Sequence, residues 1–81
     1  MSARVYITLD TAGQEPDQVI LTLRGKKGVV IADRLEGYPH VLIALEAADR
    51  KRLLALTTKT LSYLETVGDD ISLLPVRSEV S

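Results

Sequence analysis

The sequence predicts an α+β fold of the ferredoxin-like kind, β-α-β-β-α-β, and three observations lead to it. Apolar residues alternate in "ARVYITL", with Val5, Ile7 and Leu9 against Arg4, Tyr6 and Thr8, the period of a strand with one buried face. Two stretches carry apolar residues at helical spacing: Val19, Ile20 and Leu23 in the first, and Leu53, Leu54, Thr57, Leu61 and Leu64 in the second. Between them, "VVIADRL" and "HVLIALE" are rich in β-branched residues and are separated only by "EGYP", a short connection that predicts an antiparallel hairpin.

The elements follow in order. "DTAGQ" breaks the first strand, and Pro16 suits the first turn of a helix, where its missing N–H has no helical partner to lose. Gly25 and Gly28 bracket "GKKG" and stop that helix. The longer helix starts near Asp49, where a carboxylate meets exposed N–H groups, and turns Arg50, Lys51, Arg52 and Lys59 mostly away from its apolar stripe. "TVGDD" is read as a turn containing Asp69 and Asp70, followed by a last strand, "ISLLPV". Pro75 cannot donate to a ladder, so that strand belongs at a sheet edge. The pattern is the split βαβ, with the first and third strands central, the second and fourth at the edges, and both helices on one face. Residues 1–76 then form a single domain, with 77–81, "RSEVS", as a loose tail.

Composition bounds what such a chain does. With 81 residues there is room for one small domain that buries roughly 60–65% of its unfolded surface. Hydrophobic residues at 46% and charged residues at 26% are globular values, and a net charge of −1 supplies no basic field for nucleic acid. There is no cysteine, hence no disulfide or thiolate metal site, which fits a reducing compartment. No signal-peptide pattern opens the sequence, and no apolar run approaches the roughly 20 residues of a membrane span, so a cytoplasmic location is expected. One histidine, no cysteine and no glycine-rich phosphate loop leave nucleophilic and phosphoryl-transfer chemistry without machinery. A binding protein is expected, without a cofactor and without catalytic residues. Asp33, Glu36 and His40 lack a metal-ligand spacing and read as solvated polarity around the hairpin.

The third strand raises the functional question. Val41, Leu42, Ile43, Ala44 and Leu45 are apolar at every position, yet two helices cover only one face of a sheet. A partner subunit is the economical cover for the other face, which makes the chain a homo-oligomer, at least a dimer, with Val41, Leu42 and Ile43 at the interface.

The stretch "RVYITLDTAGQEPDQVILTLRGKKGVVIADRLEGYPHVLIALEA" resembles the effector-binding RAM domain of the leucine-responsive and asparagine-synthase (Lrp/AsnC) regulators, in stand-alone form. The shared features are an extended start, a glycine before the first helix, "GVV" opening the second strand, a glycine in the hairpin and "VLIALEA" leading into the second helix. His40 stands where that family often has an aspartate, and "ISLLPV" replaces its threonine-rich last strand. The resemblance implies a dimer with packed sheets, often assembled into a ring, that holds an amino-acid effector at subunit contacts and acts on transcription through a separate DNA-binding chain. Tyr6, Arg34, Gly37, Tyr38 and His40 are the residues expected at the effector or intersubunit cleft, Gly37 by supplying a positive φ or a close approach.

The "GV…EG…V…LEA" cadence is also similar to the maturation chaperones of the periplasmic nitrate reductase (NapD type), which implies capture of a twin-arginine signal peptide on the sheet face. The ACT-type ligand-binding modules share the topology. Small dimeric ferredoxin-like barrels with monooxygenase or isomerase chemistry are a remote enzymatic alternative, on fold analogy alone.

Overall fold

A computed structural model of the chain describes residues 2–11, 15–37 and 39–76. Its elements are β1 (Ala3–Asp10), α1 (Pro16–Arg24), β2 (Val29–Arg34), β3 (Val41–Ala47), α2 (Arg50–Val67) and β4 (Asp69–Val76). The four strands form one antiparallel sheet in the order β2-β3-β1-β4. The ferredoxin-like topology is therefore as the sequence predicts, with Pro75 on an edge strand.

Each element has a local cause. Pro16 opens α1, Asp17 lies in its first turn and Arg24 in its last, each charge matched to the helix end it occupies. The Asp49 carboxylate caps α2 by accepting a hydrogen bond from the Arg52 amide at 2.8 Å. Asp49→Ala is expected to cost about 1 kcal/mol in urea denaturation and to speed amide exchange in the first turn of α2. Unchanged exchange there would mean that the cap contributes nothing.

The core lies between the sheet and the two helices. Val5, Ile7 and Leu9 of β1 stand opposite Leu45, Ile43 and Val41 of β3, and all six are buried with Val19, Ile20 and Leu23 of α1 and Leu64 of α2. At about 1.5–3 kcal/mol for each large apolar side chain taken out of water, this cluster is the main source of stability.

The stripe of α2 differs from the predicted one. Leu54 is 69% exposed, whereas Leu56 is packed against the core and Thr60 is buried beside Thr57. Burial of Thr60 is tolerated because its hydroxyl donates to the Leu56 carbonyl at 2.8 Å, leaving no unsatisfied polar group. Strand β4 starts at Asp69, so the two aspartates read as a turn belong to the strand. Its pairing to β1 is irregular between Thr8 and Asp10, and Asp70 takes the left-handed conformation (φ 52°), which aspartate accepts more readily than most residues. The predicted tail, 77–81, lies outside the described residues.

Candidate functional site

Alternation divides β3 between two environments. Val41, Ile43 and Leu45 are fully buried beneath the helices, and Leu42 and Ala44 point to the opposite face. Of the three residues expected at a subunit interface, Val41 and Ile43 instead belong to the chain's own core. Of the three, only Leu42 lies on the opposite face.

Among the described residues no element covers that opposite face. The strand register lays an apolar row across all four strands there: Ile31 beside Ala44, Ala44 beside Tyr6, and Tyr6 beside Leu74. Leu74 is 52% exposed, Ile31 and Tyr6 are half-buried, and Ala44 is shadowed completely by its larger neighbours. The row on one side runs Asp33, Leu42, Thr8 and Ser72. On the other side Arg4 and Glu46 stand opposite each other and form an ion pair at 3.1 Å. Arg4 also donates to the Tyr6 hydroxyl at 3.3 Å. These bonds, the one to Tyr6 foremost, raise the Arg4 guanidinium above its usual value. Glu46 is held below the usual carboxylate range by a hydrogen bond with Ser2 and then by Arg4. Both groups stay ionised at neutral pH and fix the Tyr6 hydroxyl at the margin of the apolar row.

The hairpin end is built differently. The Leu35 amide donates to the His40 carbonyl at 2.8 Å and closes the turn, in which Gly37 is exposed with φ +81°. That conformation is the one for which glycine was expected. His40 places Nδ1 2.6 Å from Oδ1 of Asp10, tying the start of β3 to the end of β1. Tyr38 lies outside the described residues. Arg34 stands opposite the buried Val41, on the helix side of the sheet, and donates to Asp17 of α1 at 3.3 Å. The residues proposed for one cleft therefore separate: Tyr6 on the open face, His40 and Gly37 at the hairpin end, and Arg34 against α1.

Ile31, Ala44 and Leu74 were not singled out from the sequence. The pairing of β2 shifts between Val29 and Ile31, so Val29 stands opposite the buried Leu45 while Ile31 stands opposite Ala44; strict alternation from Val29 would have put Ile31 on the helix side. Asp33, Glu36 and His40 do not gather into a cation site: no cluster of three or more metal-ligating side chains occurs among the described residues. Nor, among them, is any helix long and apolar enough to cross a membrane.

No family model matches the sequence, and no curated protein matches it. Solved structures do match it in fold. The hypothetical protein PHS023 from Pyrococcus horikoshii superposes with a TM-score of 0.80 at 19% identity, over 98% of this chain and 93% of that one. PH0061 gives a TM-score of 0.79 at 16% identity, over 99% of this chain and 54% of that one. The transcriptional regulator NMB0573 from Neisseria meningitidis, solved in complex with L-Met, gives 0.69 at 15% identity, over 98% of this chain and 52% of that one. The chain thus spans about half the length of PH0061 and of the regulator. What these likenesses establish is the fold, a ferredoxin-like βαββαβ domain.

Proposed function

We propose that the chain is a regulatory module that binds an amino-acid-like effector and assembles as a homodimer through its open sheet face. The observation that carries the reading is the apolar row Ile31, Ala44, Tyr6 and Leu74, which crosses the whole sheet with no cover from the described helices. A two-layer domain of this size gains a second dry interface by pairing such a face with its own copy. The fold shared with a regulator solved with L-Met supports the effector class. In this reading Tyr6 packs between subunits and His40, beside Asp10, contributes a polar contact near the hairpin. With a net charge of −1, DNA contact in a regulatory role falls to a separate DNA-binding chain. The reading is of a binding protein rather than an enzyme.

A thermal-melting panel of the amino acids tests the effector. A ligand that binds only the folded state stabilises it by about 2.7 kcal/mol at a hundred times its Kd, so at least one amino acid should raise Tm in a concentration-dependent way. If none does at millimolar concentration, the effector reading fails. If a twin-arginine signal peptide raises Tm instead and binds the monomer, the open face is a peptide-capture surface and the chaperone reading replaces this one.

A further inference from the structure

At the end of the sheet away from the hairpin, the α1–β2 connection, the end of β3 and one face of α2 enclose a cleft of about 520 Å³. That volume lies within the range of small-molecule sites. Four cationic side chains line it, Lys26, Lys27, Arg52 and Lys59, against one carboxylate, Glu46. Glu46 is already engaged by Arg4 on the sheet. Arg52 shares its charge with Asp49 at 3.4 Å, but among the described residues Lys26, Lys27 and Lys59 make no ion pair. Three of the four lysines of a chain with net charge −1 thus line one hollow, each without an ion pair among the described residues.

A second groove, between α1 and β2, shows what compensation looks like. It is larger, about 670 Å³, yet its charges are paired internally, Arg24 with Asp33 at 2.8 Å and Arg34 with Asp17 at 3.3 Å. An anion entering there would have to break those pairs. In the lysine cleft it would find Lys26, Lys27 and Lys59 without an ion pair among the described residues.

The remainder of the cleft is apolar. Leu56 packs its methyl groups onto Gly28, whose φ of +91° and missing Cβ let the leucine lie against the backbone. Tyr63 forms a wall, with the Lys26 ammonium 4.7 Å from its ring centroid. Several cationic side chains lining one cleft favour a group that carries nearly two charges and three acceptor oxygens over a single carboxylate. The apolar wall calls for an organic body attached to that group. We propose that this cleft binds a small phosphorylated metabolite, its phosphate held among Lys26, Lys27, Lys59 and Arg52 and its organic body against Leu56 and Tyr63. The site lies apart from the hairpin and does not depend on the amino-acid reading.

Isothermal titration of the whole chain with AMP, phenyl phosphate, adenosine and inorganic phosphate tests it. AMP or phenyl phosphate should bind, adenosine and inorganic phosphate should each bind at least about tenfold more weakly, and affinity should fall as salt rises. The doubly substituted K26Q/K59Q chain should lose about tenfold or more in affinity with an unchanged circular dichroism spectrum, since both lysines are exposed. R24Q, in the paired groove, should bind as the native chain does. Three results would each overturn the proposal: no binding of either phosphate ester at millimolar concentration, inorganic phosphate binding as tightly as the esters, or unchanged binding in K26Q/K59Q.

Discussion

Ile43→Ala is expected to cost about 3–4 kcal/mol and to leave much of the protein unfolded under conditions where the native chain is folded. Ile43 is fully buried at the centre of the sheet, with Ile7 on one side and Ala32 on the other, inside the cluster that both helices close. Truncation removes the transfer energy of the deleted methylenes and adds a cavity, because neighbours held by strand pairing relax only in part. A domain of this size starts near the lower end of the 5–15 kcal/mol typical of folded proteins, so the loss is a large share of the total. The adjacent Leu42→Ala makes the comparison informative. Leu42 lies on the open face, so its substitution should cost little in the monomer, and whatever it costs in the assembly should shrink on dilution. Urea midpoints for both variants at two protein concentrations check this. Equal, concentration-independent losses would mean that the facing of β3 is wrong.

Gly68→Ala is expected to cost about 3 kcal/mol, for a reason that has nothing to do with backbone conformation. Gly68 has φ −171°, extended backbone that any residue adopts. What it lacks is space: a Cβ there would overlap the carbonyl oxygen of Asp10 and lie 2.9 Å from Cδ1 of Leu9. Leu9 is a fully buried side chain and Asp10 is main chain of a central strand, so neither yields easily. The α2–β4 connection would have to move away from β1, loosening the pairing that begins with Asp10 and Asp69. Melting temperature should fall, and amide exchange should quicken along β4 before it does in β3. Unchanged melting would show that the connection can shift at no cost.

The parts of this fold that were legible in the sequence are those in which a local pattern has one structural solution. Alternation in "ARVYITL", Pro16 at a helix start, Asp49 at another and Pro75 at an edge each follow from backbone hydrogen bonding or side-chain period. Leucine content alone misplaced the stripe of α2: Leu54 fits a helical spacing with its neighbours as readily as Leu56 does, and only the position of the sheet decides between them. Thr60 looks like surface until its hydroxyl is seen to bond within the helix. The uniformly apolar third strand pointed to a second apolar sheet face, which the described elements leave uncovered, but Val41 and Ile43 were assigned to it, because a run without alternation carries no sign of which set faces which way. The open row and the lysine cleft were beyond reach for a further reason. Each joins residues distant in the chain, Ile31 with Leu74 and Lys26 with Lys59, through register and helix placement that no short window contains.

The open sheet face as a self-complementary surface is the centre of this account, and sedimentation equilibrium tests it most directly. At micromolar concentration the native chain should have twice the chain mass or a higher even multiple. A chain carrying both Leu42→Lys and Leu74→Lys, charges set on the uncovered face, should sediment as a folded monomer. A native chain that remains monomeric throughout, or a doubly substituted chain that assembles as the native one does, would contradict it.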